Sequence, residues 1–457
     1  MLAALAIPTV ILTAWMIVKK YQTHTTLILS GMFMLTLGIV FTQAGVADVI
    51  SAKYGFKDTG AAFFDIFKAF DVIMSQRTAT IGMVAMTAAG FSTYMTRIGA
   101  ADSLVKACSK PLEALNKPYL VLAVAYLIGQ ALNIVISSPA GLAMLLLVSV
   151  YPILVRAGVS PLSAAAAIGT TGALDLGPGS GNANVAAETL GLPIAEYFAT
   201  KQLLVAIPVA IIVAATHYFV QQWFDKREGE ELGEYLEGEK REFKSAPAFY
   251  AFLPFAPIAL LLMFSSIGIP SIKMNAPTAM YVALIATIFI DAVRNKSIQT
   301  ALDNGMSFFK GMANAFSSIV VLIVAATMFT LGLNAIGAID ALKEMVLGGD
   351  VHYILITIFA MLIIGLTSIL TGSGNAAFFS FANLGPELAG AAGVKTILML
   401  LPMQFMAGFC RSLSPVSAVI IAVSAASNVS PFGVLKRTAI PMAVGIVSTL
   451  IITQFVF

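Results

Sequence analysis

The chain has 457 residues, of which 59% are apolar and only 11% charged, and its mean hydropathy is +0.91. A soluble domain is typically about 45–50% apolar and about 25% charged, so a soluble enzyme, a nucleic-acid binder and a disordered chain are excluded, and a net charge of +3 is too small to imply a polyanionic partner. Two cysteines (Cys108, Cys410) and three scattered histidines (His24, His217, His352) exclude a disulfide framework and a zinc site; at about 20 residues per span, the chain reads as an all-α polytopic membrane protein of roughly ten spans.

Leu2–Val18 is apolar and is followed, not preceded, by Lys19 and Lys20. A secretory signal carries its positive charge before the apolar stretch, so this segment is expected to be a first span that starts outside. Apolar windows then fall at 25–43, 78–97, 118–157, 160–190, 201–222, 248–268, 276–293, 314–333, 351–389, 394–428 and 436–456. Periodicity says little here, because helices buried in lipid and protein are apolar all round. Window length says more. The windows at 118–157 and 351–389 exceed one span and break near their middles, at Ser137-Ser138-Pro139-Ala140-Gly141 and Thr371-Gly372-Ser373-Gly374-Asn375. Each is expected to be a helical hairpin. The windows at 160–190 and 394–428 carry their own Gly/Pro/Ser interruptions and read as broken helices. Residues 223–247, with five basic and eight acidic side chains, read as a solvated cytoplasmic linker.

An internal repeat is visible. Ile98-Gly99-Ala100-Ala101-Asp102-Ser103-Leu104 recurs as Ile336-Gly337-Ala338-Ile339-Asp340-Ala341-Leu342, and Asp175-Leu176-Gly177-Pro178-Gly179-Ser180 as Ser412-Leu413-Ser414-Pro415-Val416-Ser417. The nearly equal offsets predict two repeats, 1–222 and 248–457. In each, the order is span, span, polar stretch, span, short helix, hairpin, broken span, span. Five crossings per repeat make the second start from the opposite side, an inverted-topology pair. With both termini outside, about two-thirds of the 26 Lys and Arg residues fall inside, the bias expected of cytoplasmic loops.

In lipid, backbone breaks at mid-depth are tolerated only inside protein or beside a cavity. Transporters use them, because half-helix N-termini face anions and unwound carbonyls coordinate cations. Two hairpin tips and two broken spans, rich in Ser, Thr and Asn, are therefore expected to form one polar site. Two charges sit in the breaks. A mid-membrane Arg costs at least about 2.5–3.5 kcal/mol on insertion scales, so Arg411 is a substrate ligand, a partner of Asp175 or a snorkelling side chain. Asp175 is a coupling carboxylate or a cap of the half-helix that follows it. Glu188, Glu196, Lys201 and Glu387 lie near span ends and read as interfacial.

The hairpin–broken-span pairs, the stretch from Gly169-Thr170-Thr171-Gly172 to Asp175-Leu176-Gly177-Pro178-Gly179-Ser180-Gly181-Asn182, the stretch Leu370-Thr371-Gly372-Ser373-Gly374-Asn375, and Phe409-Cys410-Arg411-Ser412-Leu413-Ser414-Pro415 resemble the DcuC family of anaerobic four-carbon dicarboxylate carriers, in the ion transporter superfamily. The resemblance runs essentially end to end. It implies a bacterial inner-membrane carrier, not an enzyme, for succinate, fumarate, malate or aspartate, working by exchange or cation coupling. It further implies a homodimer with a scaffold and an elevator-type transport domain, and no cofactor beyond H⁺ or Na⁺ as coupling ion. Sodium–dicarboxylate members carry Ser-Asn-Thr at their tips; the tips here differ, which favours proton coupling or exchange. On this reading Ser137, Ser138, Pro139, Gly177, Pro178, Ser180, Asn182, Ser373, Gly374, Asn375, Arg411, Ser412, Ser414 and Ser417 bind substrate, and Asp175, Thr170 and Thr171 serve the coupling ion. The alternatives are a related carrier of another organic acid or of basic amino acids, or a Na⁺/H⁺ antiporter. An anion channel would need rings of charge along a pore, an enzyme a nucleophile–base pair, and an ATP-driven pump a phosphate-binding loop. None of these is evident in the sequence.

Overall fold

The computed structural model describes residues 21–42, 56–115, 117–228, 246–264, 274–338 and 352–457, with isolated positions between them. Every regular element among the described residues is helical, as lipid demands of a chain whose backbone must satisfy itself. Among the described residues, six helices are long and apolar enough to cross a membrane: Thr23–Phe41, Ile194–Glu228, Ala276–Asn295, Ile298–Ala335, Tyr353–Thr371 and Pro431–Val456. This is a multi-pass membrane protein. Gly, Pro and Ser breaks cut other apolar windows into shorter helices, such as Pro118–Asn133, Pro139–Ser149 and Ile397–Arg411. Most of the expected first span, Leu2–Val18, lies outside the described residues, as do 229–245 of the linker and Ile339, Asp340 and Leu342 of the second repeat motif.

Both hairpins form. In the first, Pro118–Asn133 and Pro139–Ser149 flank a tip at 134–138; in the second, Tyr353–Thr371 and Gly374–Phe381 flank Gly372-Ser373. Both broken helices form too, as Pro161–Gly169 with Gly181–Thr189, and Ile397–Arg411 with Ala418–Ala426.

The polar stretches ahead of the windows at 78–97 and 314–333 are also helical. Ala62–Arg77 and Ile298–Ala315 each run into a π-type turn, Thr78–Gly82 and Phe316–Val320, the first kinked at Thr80 where the backbone leaves helical geometry (φ −96°, ψ −106°), before continuing as Met83–Arg97 and Val321–Ala335. A π turn inserts an extra residue into the hydrogen-bond ladder and is common beside functional sites. The two π turns pack together: a β-carbon on Gly82 would fall 3.1 Å from Val320. Thr23–Thr42 crosses Val321–Ala335 just as closely, with the Met328 carbonyl oxygen 2.5 Å from where a Gly31 β-carbon would sit.

The solvated-linker expectation for 223–247 needs correcting at its start. Residues 223–228 continue the helix Leu203–Glu228, and Asp225 and Glu228 pair with Arg437 on Pro431–Val456. Arg437 is 1% exposed. Asp225 also accepts from the Ser160 hydroxyl (2.7 Å) and the Tyr119 hydroxyl (3.0 Å). It thereby ties the first hairpin, the first broken helix and both closing helices together. The physical reason is tertiary: two helix ends of opposite charge meet, with the Arg437 and Asp225 side chains only 1% and 8% exposed.

Candidate functional site

Serine caps set the geometry. Ser138 accepts from the Gly141 amide, Ser180 from the Ala183 amide and Ser373 from the Ala376 amide, at 3.2, 3.3 and 3.2 Å. Each opens a half-helix by satisfying one of its free N–H groups. Ser180, not Asp175, is therefore the cap of Gly181–Thr189, which corrects the capping alternative for Asp175.

The three capped N-termini face one cavity of 420 Å³. Its wall includes Ser137, Ser138 and Pro139 from the first tip, Asp175 and Ser180 from the first break, Ser373 and Asn375 from the second tip, and Arg411 from the second break. Each helix N-terminus carries roughly half a positive charge. Arg411 and Asp175 cancel formally, and the free N–H groups at the three capped N-termini give the wall donors suited to an anion.

Arg411 is 8% exposed and Asp175 5%. Their contact is bidentate: Arg411 Nη1 donates to Asp175 Oδ2 at 3.2 Å and Nη2 to Oδ1 at 3.1 Å, while Nη2 also reaches the Gly172 carbonyl oxygen at 2.6 Å. Of the readings open to Arg411, pairing with Asp175 is the one this conformation adopts. Asp175 sits in left-handed backbone (φ +47°), a conformation Asp tolerates better than most residues. The Asn182 side chain donates to its Oδ2 (2.8 Å), and Gln202 bridges its carbonyl oxygen (3.1 Å) and the Gly177 amide (3.0 Å). Asn133 accepts from the Leu176 amide at 3.3 Å. Gly408 presses against this loop, where a β-carbon would fall 2.0 Å from the Ala173 carbonyl oxygen.

The other residues singled out above stand behind the wall. Asn182 and Gln202 brace Asp175, and the Pro178 carbonyl oxygen accepts from Asn184 (2.8 Å). The Thr171 hydroxyl donates to the Ile168 carbonyl oxygen, and that of Thr170 to the Ala167 carbonyl oxygen beside His217. Ser414 donates to the Ile369 carbonyl oxygen (2.6 Å), Ser412 makes a long contact to that of Gly169 (3.4 Å), and Gly374 packs on Ala407. The Ser417 hydroxyl is buried with no partner among the described residues. The fourth half-helix, Ala418–Ala426, does not reach the cavity, so three N-termini converge rather than four.

Sequence reasoning missed the opposite wall: Thr93, Gly311, Asn314 and Ser318. Gly311, Asn314 and Ser318 recur at i, i+3 and i+7, one helical face, so the signal was present but lay across the edge of an apolar window. A second cavity of 300 Å³ is lined by Arg77, Glu188, Thr327, Thr330, Asn334, Phe379 and Glu387, among others. There Arg77 Nη1 meets Glu188 Oε1 at 2.7 Å, so Glu188 is not simply a solvated interfacial side chain.

A family model described as DcuC, C4-dicarboxylate anaerobic carrier, matches residues 1–457. The anaerobic C4-dicarboxylate transporter DcuC of Escherichia coli K12 is 32% identical over 424 residues, 91% of each chain. A probable anaerobic C4-dicarboxylate transporter DcuC of Vibrio cholerae is 33% identical over 447 residues, covering 96% of this chain and 94% of its own. A putative uncharacterized transporter of Haemophilus influenzae is 24% identical over 272 residues, 58% of this chain and 94% of that one.

Proposed function

Because the chain belongs to the DcuC family of C4-dicarboxylate anaerobic carriers, we propose that it is a secondary active transporter of succinate, fumarate, malate or aspartate in a bacterial inner membrane. The observation that carries this reading is the convergence of three capped half-helix N-termini and the Arg411–Asp175 pair on one cavity. That arrangement suits a dianion. One carboxylate engages Arg411, and hydroxyl, amide and N–H donors at Ser138, Ser180, Ser373 and Asn375 hold the other.

Asp175 occupies the fork that a substrate carboxylate would use. Protonation of Asp175 would release that fork, so proton and dicarboxylate binding would assist one another, with H⁺ rather than Na⁺ as coupling ion. Ser412, Ser414, Thr170 and Thr171 would then act by holding the breaks in shape.

The fold we infer is a pair of inverted repeats over 1–222 and 248–457, with both termini outside, working as a homodimer in which a transport body moves against a scaffold. Three features support the repeat. The π turns fall at matching places, Gly99 and Gly337 both adopt left-handed backbone (φ +81° and +71°), and the matching residues Gly82 and Val320 touch each other, as they would on a shared axis.

Counterflow of labelled succinate in proteoliposomes, competed by a panel of two- to six-carbon acids at varied pH and Na⁺, tests the reading. We expect four-carbon dicarboxylates to compete, with uptake favoured at low pH and indifferent to Na⁺. Failure of all four named acids to exchange would overturn it.

A further inference from the structure

The two cavities adjoin, and three helices pass from one to the other within a single turn. On Gly374–Phe381, Asn375 lines the tip cavity and Phe379 the second; on Gly181–Thr189, Gly181 lines the first and Val185 and Glu188 the second; on the long helix through the Phe316–Val320 turn, Ile319 lines the first and Ile323 the second. Four residues span about 6 Å of helix. At this level the three walls meet. A β-carbon on Gly181 would lie 3.0 Å from Phe379 Cζ and 3.6 Å from Ile319 Cγ2, so the absence of a side chain at 181 is what seats the ring. Phe379 is 3% exposed, with Leu322 and Ile323 buried around the same level.

On either side of this apolar septum the same helix turns polar, with Asn314 and Ser318 towards the tip cavity and Thr327, Thr330 and Asn334 towards the second. A polar face interrupted by one apolar turn is the pattern of a wetted path closed by a hydrophobic constriction. The helix bearing Phe379 has eight residues and starts just after a left-handed glycine, Gly372 (φ +71°).

We propose that Phe379, seated on Gly181 and flanked by Ile319, is the gate between the two ends of a single dicarboxylate path, the second cavity being the vestibule on the far side of the membrane. The proposal rests on the carrier reading for the identity of the solute, but the barrier itself is tested without a substrate. A Cys is placed at Ser318 in a Cys108→Ser background, in which Cys410 is buried, and is labelled with a membrane-impermeant thiol reagent in spheroplasts and in inside-out vesicles.

With Phe379 intact, labelling from one side should exceed that from the other by about tenfold. In Phe379→Ala the ratio should fall below about twofold, while Phe379→Leu keeps the seal, as expected of a hydrophobic gate. Phe379→Ala should also release preloaded labelled succinate without counter-substrate. Equal labelling from both sides in the parent, or unchanged sidedness in Phe379→Ala, would overturn the gate. Ile319→Ser is read in the same way should Phe379→Ala not reach the membrane. Sided labelling, together with no succinate counterflow by the chain that keeps its own Ser318 and Cys108, would support the gate and overturn the carrier reading.

Discussion

Arg411 and Asp175 lie 236 residues apart in the chain and meet through two parallel N–H···O contacts of 3.1 and 3.2 Å inside the protein. Fork-on-fork pairing of this kind depends on the shape of guanidinium as well as its charge. Removing one partner of a buried pair leaves the other uncompensated, at a cost of about 3–5 kcal/mol. Arg411→Ala should therefore accumulate poorly and melt early. Arg411→Lys, which keeps the charge and loses the fork, should fold and lower succinate exchange by about tenfold to a hundredfold, the equivalent of one or two charge-assisted hydrogen bonds. Thermal-shift and counterflow measurements on the two variants separate folding from binding; equal exchange by Arg411→Lys and the parent would remove Arg411 from the binding step.

Asp175→Asn places a neutral amide where a protonated carboxyl would be. If the proton on Asp175 frees the Arg411 fork, net succinate flux in the parent depends on pH over the range assayed. The variant should still exchange, with net flux nearly flat across the same range. A pH profile that survives the substitution would assign coupling to another group.

Gln202 joins the Asp175 carbonyl oxygen to the Gly177 amide. Gln202→Leu leaves both backbone groups buried and unpaired, which costs about 1–3 kcal/mol for each. A clear fall in melting temperature is expected, together with a raised KM for succinate as the loop carrying Asp175 loosens. A variant with parental melting and KM would show that the loop holds its shape without the amide.

Ser138→Ala and Ser373→Ala each remove a cap worth about 0.5–2 kcal/mol and a hydroxyl on the cavity wall. We expect modest destabilisation with an increase in KM and little change in maximal rate. Asn314→Leu, on the opposite wall, should leave stability near parental, because its side chain is exposed to the cavity rather than packed. Its effect on KM then reports whether substrate touches that wall.

Gly408→Ala drives a methyl group to within 2.0 Å of the Ala173 carbonyl oxygen. Overpacking of this kind costs about 1–3 kcal/mol, and here the strain falls on the loop that presents Asp175. Exchange should drop further than the loss of folded protein explains, as judged by counterflow per folded molecule.

Much of this architecture could be read from composition. A Ser-Ser-Pro or Gly-Ser-Gly in the middle of 40 apolar residues has no place in a straight span, so both hairpins and both breaks were legible, and Asp175 stood among the roles open to Arg411 as a partner. What stayed hidden depended on neighbours. Asn314 and Ser318 look like the frayed end of an apolar window until Arg411 is seen across the cavity. Gln202 is one amide beside Lys201 until the loop that it braces is folded. Asp225 and Arg437 read as loop charges because nothing local says that two helix ends, 212 residues apart, dock on each other. Gly408 is one glycine among 36, and only the approach of Ala173 distinguishes it.

The chain separation of the buried pair also has a temporal side. Asp175 reaches the ribosome exit 236 residues ahead of Arg411. At roughly 5–20 residues per second of synthesis, the carboxyl waits on the order of ten to fifty seconds for its guanidinium. During that interval Asn182 and Gln202, which lie close behind it in sequence, are the groups at hand to satisfy the break. The charge balance of Asp175 is complete only once Arg411 has been made.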